Sequence, residues 1–275
     1  MQNKNILLMG AVALIAIIGG GWWAYDFLQG DTEAASGPIT AIPVTVNTVA
    51  PATVAAATEA LASTREPTIA EATSALPDPT TEPTAAVVSA AQSSGSVVVL
   101  QISQEQSEAR FTISEELNGQ PKTVVGTTNQ VAGELALDLS DLSTAQVGVI
   151  QVNARTFVTD SDRRDRAIRN FILETDQYEF ITFTPTQVTG LSGPAQPGQP
   201  FTFQIAGDLT IRGVTQPVVF DVTVQGEATA RLTGTATAVV KRGDYNLTIP
   251  SVPNVANVGE EVTLEIDFVA ESASS

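Results

Sequence analysis

Residues able to carry out acid–base, nucleophilic or redox chemistry are scarce in this chain of 275 residues. Histidine and cysteine are both absent, so there is no imidazole base, no thiolate nucleophile and no His or Cys ligand for zinc, copper or iron. The remaining carboxylates, hydroxyls, tyrosines and lysines form no Ser-Lys spacing and no paired-carboxylate motif. The sequence therefore predicts a protein that is not an enzyme and that has no cofactor.

One acidic triplet has the start of a metal-binding pattern. Asp160, Ser161 and Asp162 resemble the opening of a calcium loop, which next requires another oxygen ligand and a glycine. Arg164 and Asp165 follow instead, so the loop fails and we expect no metal site. The formal net charge of −17 repels nucleic-acid phosphates, and no nucleic-acid partner is expected.

Arginines are the polar residues best suited to meet a ligand. Arg155, Arg212 and Arg242 stand beside strand ends or turns, where a barrel mouth would lie, and are candidate rim residues for an anionic headgroup. Arg212-Gly213 also has the signature of a tight turn. The charged run at 163–169 is interpreted first as a solvated helix face, with a headgroup-binding rim as the sharper alternative.

The N-terminal region predicts a membrane anchor. Residues 6–25 contain no charge and are long enough to span a bilayer as a helix. Lys4 precedes them and Asp26 follows, so the positive-inside rule leaves the N-terminus in the cytoplasm and exports the rest. A cleaved signal peptide is the alternative, but bulky Trp22 and Trp23 disfavour cleavage after the glycines. The expected location is the cell membrane, single-pass, with an extracytoplasmic C-terminal domain.

Composition divides the chain into four parts. Residues 1–29 form the predicted transmembrane anchor, and residues 30–95 are an Ala/Thr/Pro-rich segment expected to be a disordered linker. Residues 96–271 are the predicted folded domain, and residues 272–275 are a tail.

The predicted domain shows strand periodicity. Residues 109–113, 131–139, 201–205, 218–224 and 262–268 alternate apolar and polar side chains, as in an antiparallel sheet with one covered face. About eight strands in about 175 residues favour one closed barrel or a sandwich.

One segment breaks this alternation. Residues 162–173 predict a short helix whose Ala167, Ile168, Phe171 and Ile172 share one face. A single short helix in an antiparallel barrel closes or flanks one end.

The apolar side of the strands supplies the candidate interior. Alternation turns these side chains inward, where they either fill a core or surround a ligand. They are Phe111, Leu135, Leu137, Phe183, Phe203, Ile205, Phe220, Val222, Leu264 and Ile266.

The order and spacing of several segments resemble the YceI family over nearly the whole predicted domain. The most distinctive is GDLTIRGVTQPV at residues 207–218. The other segments are residues 131–135, 153–156, 166–170, 178–183 and 241–245.

The resemblance implies an all-β fold: a closed, antiparallel, eight-stranded lipocalin-like barrel with a long interior pocket. It also implies a polyisoprenoid or related long apolar lipid as ligand, in the bacterial cell envelope. The helix carries Phe171-Ile172 where the family has two aromatics. The expected function is a membrane-anchored, extracytoplasmic lipid-binding protein, and the alternative is a non-enzymatic envelope interaction domain with a filled barrel.

Overall fold

The computed structural model describes residues 33–44, 97–227 and 231–272. The predicted anchor at residues 6–25 lies outside these ranges, as does most of the predicted linker. Among the described residues, no helix combines the length and the apolar character needed to cross a membrane.

The described domain is one curled antiparallel sheet with one short α-helix. Four 3-10 turns lie between its strands: Gln104–Gln106, Leu142–Thr144, Ala154–Thr156 and Arg242–Tyr245. The first seven strands are β1 (Val97–Ile102), β2 (Glu108–Leu117), β3 (Gln120–Thr128), β4 (Val131–Ala132), β5 (Glu134–Asp138), β6 (Gln146–Val147) and β7 (Ile150–Asn153). The others are β8 (Phe180–Thr189), β9 (Pro200–Ile211), β10 (Val214–Glu227), β11 (Arg231–Lys241), β12 (Val255–Ala256) and β13 (Glu261–Ser272).

Strand order follows the chain through the long C-terminal strands. The path β4-β7-β8-β9-β10-β11-β13-β1-β5-β6 runs through the sheet, and β2 adds to β13 and pairs with β3 and β12. The described strands number thirteen rather than about eight. Some longer extended runs are divided into shorter strands, as β4 and β5 are divided at Gly133.

Two hairpin turns have the backbone that their sequences predict. Asn118 and Gly119 have φ of 52° and 75°, and Arg212 and Gly213 have φ of 50° and 71°. Two successive positive φ angles between paired strands form a tight turn that matches strand twist. The predicted turn at Arg212-Gly213 is therefore confirmed.

The helical segment begins as α1 (Asp162–Ala167) and continues as one π-helical turn (Ile168–Ile172). The amide of Leu173 donates to the carbonyl of Ile168 at 2.8 Å, which is the wider i+5 pattern. Asp165 is buried and accepts hydrogen bonds from the amide and hydroxyl of Thr159, at 2.8 and 2.6 Å. These bonds fix the N-terminal turn against the preceding loop.

Part of the predicted linker is packed on the domain. Residues 33–44, which we call the strap, run along it, and Ile39 is only 8% exposed. The guanidinium of Arg155 donates to Ala34 O at 2.9 Å and pairs with Glu33 at 3.1 Å. These contacts fall within the segment predicted as a linker, most of which lies outside the described residues, and the linker assignment stays a prediction.

Two carboxylates extend the strap contacts. The amide of Ser36 donates to Glu179 at 2.8 Å, and the amide of Val44 donates to Glu134 at 2.9 Å. Glu134 is buried, so these bonds supply partners for charges that would be costly if left alone.

Candidate functional site

A large cavity occupies one end of the curled sheet. Its volume is about 1080 Å³, at the upper end of the range usual for small-molecule sites. Its wall combines inward residues of β2, β8, β9, β10 and β13 with the helical segment and with residues 246–258. We call this last segment, which includes the two-residue strand β12, the cover loop.

The cavity and the packed core divide the sheet along the length of its strands. In β9, Leu209 and Ile211 line the cavity, whereas Phe203 and Ile205, nearer the other end of the strand, lie in the core. In β13 the change falls between Ile266 and Phe268. The domain is therefore hollow at one end and filled at the other.

The predicted interior residues separate accordingly. Five line the cavity: Phe111, Phe183, Phe220, Leu264 and Ile266. The other five are buried in the hydrophobic core and do not line the cavity: Leu135, Leu137, Phe203, Ile205 and Val222. Alternation along the strands predicts inward-facing residues but not where along a strand the core gives way to the cavity.

The rings in the cavity wall are in edge-to-face contact. Phe111 and Phe157 have centroids 5.4 Å apart, and Phe183 and Phe220 have centroids 4.9 Å apart, each pair inclined by 68°. This is the geometry that aromatic quadrupoles prefer. These contacts hold the four rings in fixed orientations within the apolar wall.

The helical segment contributes the apolar face that its sequence predicts. Ala167, Ile168, Phe171 and Ile172 all line the cavity. The π-helical turn keeps these residues along the cavity wall. The helical segment therefore flanks one end of the sheet, as expected from the sequence.

The cover loop supplies apolar residues that the sequence did not single out. Leu247, Ile249, Val252, Val255 and Val258 line the cavity. The asparagines at 246, 254 and 257 have positive φ angles of 56°, 68° and 49°, a conformation that asparagine adopts more readily than most residues. Runs of Asn with Pro and Val between two strands are the signal that would have found this loop.

Arg242 closes the base of the cover loop. Its Nη1 donates to Leu247 O at 3.1 Å and its Nε donates to Gly259 O at 3.0 Å, while Glu260 pairs with it at 3.1 Å. It lines the cavity, but its guanidinium is engaged by the protein. Arg242 thus lines the cavity and also holds the two ends of the cover loop together through its hydrogen bonds.

The other two predicted rim arginines do not line the cavity. Arg155 is 7% exposed at its side chain and binds the strap and Glu179. Arg212 donates to Asn246 O at 3.2 Å and pairs with Glu174. Each guanidinium binds backbone carbonyls and carboxylates of the protein, and the rim role of both residues stays a prediction.

Ionised side chains surround the cavity where the helical segment meets the β2–β3 hairpin. Arg164 pairs with Glu115 at 2.8 Å and with Asp160, and Lys122 pairs with Asp160 at 2.5 Å. The hydrogen bond from Lys122, followed by the bond and charge of Arg164, lowers the pKa of Asp160 below its usual value despite opposing desolvation. Asp160 and Glu115 are therefore both held in ion pairs beside the cavity.

A family model for the YceI-like domain matches residues 100–270, most of the described sheet. The chain belongs to the YceI-like family. A UPF0312 protein of Shewanella sp. (strain ANA-3) is 30% identical over 156 residues, which cover 54% of this chain and 73% of that protein.

The fold is similar to those of solved structures. A polyisoprenoid binding domain from Saccharophagus degradans aligns with a TM-score of 0.50 at 16% identity, over 64% of this chain and 99% of that one. BcnA of Burkholderia cenocepacia aligns with a TM-score of 0.49 at 17% identity, over 61% and 98%. At 16% identity, the likeness to the Saccharophagus degradans domain shows the fold alone.

Proposed function

We propose that this YceI-like protein binds a long apolar amphiphile of the isoprenoid type inside its cavity. The observation that carries the proposal is the cavity of about 1080 Å³, walled by aliphatic and aromatic side chains. Each methylene group transferred from water into such a space contributes about 0.8 kcal/mol. The Saccharophagus degradans neighbour, a polyisoprenoid binding domain, supports this ligand class.

We further propose that the protein is a binding module rather than an enzyme. The chain has no histidine and no cysteine. The carboxylates that line the cavity, Glu115, Asp160 and Glu265, each pair with a cation. A filled interaction domain, the alternative from the sequence, is not favoured because one end of the sheet is hollow.

The finer architecture and the location belong to the same proposal. β4 and β5 flank Gly133, and they pair with β7 and β1 respectively, which supports a closed barrel of about eight composite strands. The charge asymmetry around residues 6–25 supports a single-pass anchor with the domain outside the cytoplasm. Protease added to spheroplasts should cut the exported part of the chain, and protection of that part would disprove the topology.

The test of binding is organic extraction of the full-length protein purified from its native membrane, followed by mass spectrometry. We expect about one isoprenoid-like molecule per chain. A Phe220→Asp variant, which places a charge in the wall, should retain far less, while Thr223→Asp, on the exposed face of the same strand, should retain as much. No lipid on the parent protein, and no uptake of added prenols, would refute the proposal.

A further inference from the structure

The ionised residues of the domain are unevenly distributed around the cavity. The described residues contain eleven Lys and Arg against twenty-three Asp and Glu. Six of the eleven cations line the cavity, but only three of the twenty-three carboxylates do so. Although the protein is strongly acidic, the described residues that line its large apolar cavity carry more positive than negative charges.

Most of these cations are neutralised by the protein. Arg110 pairs with Glu265 and Asp267, both at 2.5 Å. The pairs of Arg164, Lys122 and Arg242 are described above. Each cavity-lining carboxylate is in turn used by one of these cations, so these pairs leave no free anion facing the cavity.

Two cavity-lining cations remain uncompensated. Within residues 33–44, 97–227 and 231–272, the side chains of Arg163 and Arg166 make no hydrogen bond and no ion pair, although both residues line the cavity. They are three positions apart in α1, which places them on the same side of the helix, with their Cβ atoms about 5–6 Å apart. Arg166 is half-buried and Arg163 is exposed.

The surroundings of this pair suit a negatively charged group. Guanidinium groups bind phosphate or carboxylate oxygens in pairs, and Arg is the side chain best matched to that geometry. Arg164 lies between them in sequence but is occupied by Glu115 and Asp160. Ala167, next to Arg166, belongs to the apolar wall, so the pair stands where the ionic lining meets the apolar lining.

We propose that Arg163 and Arg166 form a subsite for the anionic head of the ligand, and that the ligand is a phosphorylated isoprenoid whose chain fills the cavity. This rests on the proposed function. Of the three arginines in α1, Arg163 and Arg166 then bind the headgroup. Arg164 has a structural role through its ion pairs. The subsite discriminates charged heads from uncharged ones of the same chain length.

The test compares two probes with the same chain, geranylgeranyl phosphate and geranylgeraniol. Full-length, delipidated protein in nanodiscs of phosphatidylcholine is titrated with each. The phosphate should bind the parent protein about tenfold or more tighter, as two charge-assisted hydrogen bonds warrant. Raising the salt concentration should reduce this preference, because the pair is partly exposed.

Variants separate the subsite from the cavity. The double variant R163Q/R166Q should bind the phosphate about as weakly as the alcohol, with the alcohol unchanged. Lys241→Gln removes one positive charge from an exposed position outside the cavity and should preserve the preference. An unfolding curve of each variant confirms that it is folded.

The outcomes are distinct. Equal binding of both probes by the parent protein overturns the subsite and leaves lipid binding intact, and so does a preference that survives in R163Q/R166Q. Binding of neither probe overturns the proposed function, and the subsite with it. Loss of alcohol binding in the double variant would assign the arginines to the wall and overturn the headgroup role.

Discussion

The rings of Phe183 and Phe220 meet edge to face, with centroids 4.9 Å apart, at the boundary where the cavity gives way to the packed core. Phe220 lines the cavity, whereas Val222, the next inward residue of β10, is 2% exposed and lies in the core. Inward-facing positions on one strand therefore have different tolerance to added volume.

Adding volume should distinguish the two ends of the sheet. Leu264 lines the cavity and is half-buried, whereas Ile205 is 8% exposed within the core. We expect Ile205→Trp to lower the free energy of unfolding by about 1–3 kcal/mol through overpacking. Leu264→Trp should change the stability of the delipidated protein by less than about 1 kcal/mol but reduce bound lipid. Urea unfolding and lipid per chain are the measurements, and equal destabilisation by both would contradict a hollow end.

The strap should contribute to the stability of the domain. Ile39 is 8% exposed and Ile42 is 42% exposed, three residues away in the same segment. Ile39→Ala should therefore cost about 2 kcal/mol or more, and Ile42→Ala no more than about 0.5 kcal/mol. Chemical denaturation of the two full-length variants provides the comparison. Equal effects would mean that the strap does not hold to the domain in solution.

Glu179 should make stability depend on pH. Burial opposes its ionisation, but hydrogen bonds from Ser36 and Asn153 and the charge of Arg155 outweigh burial and lower its pKa below the usual 4.5. A lowered folded-state pKa contributes stability that is present above pH 4.5 and is lost as pH falls through the folded value.

The corresponding measurement is the free energy of unfolding of the parent protein and Glu179→Gln between pH 3 and pH 7. The advantage of the parent should be constant above about pH 5 and shrink below it. Ser36→Ala should reduce the loss, since it removes one of the bonds that lower the pKa. An advantage independent of pH over this range would contradict the assignment.

Arg242 should control how quickly a ligand leaves. Arg242→Gln removes the donors that join Leu247 and Gly259 across the base of the cover loop. We expect release of a fluorescent prenol to accelerate several-fold, because opening the loop then breaks fewer hydrogen bonds. Lys241→Gln is the neighbouring control of equal charge change. Unaltered release in Arg242→Gln would show that ligands do not pass beneath this loop.

Local sequence signals were sufficient for the sheet, the turns and the helical segment. Asn118-Gly119 and Arg212-Gly213 specify tight turns through residues that tolerate positive φ. The apolar face from Ala167 to Ile172 specifies which side of the helix is covered. Each of these features depends on residues that are only a few positions apart, so it can be predicted from a single sequence.

Long-range pairings were not accessible in the same way. Arg155 and Arg242 have the residue type of a ligand contact, and only the fold shows that backbone carbonyls of Ala34 and Gly259 occupy their guanidinium groups. Ile39 lies in an Ala/Thr/Pro-rich segment, and this composition indicates disorder. Composition alone carries no information about the distant residues of the domain against which Ile39 packs. The boundary between cavity and core at Ile205 likewise depends on the opposing walls.

The strap also determines how residues 45–96, which follow it, are connected to the domain. Residues 45–96 start at the strap and return to β1, so both of their ends are fastened to the same folded body. Because both attachment points lie on one folded body, the length of this segment does not change how far the domain can stand from the residues before the strap, and lengthening it costs little entropy. In the predicted arrangement, residues 26–32 connect the anchor to the strap, and seven extended residues reach at most about 25 Å. A single proteolytic nick between residues 45 and 96 would leave two fragments that remain associated through Ile39, Ser36 and Val44.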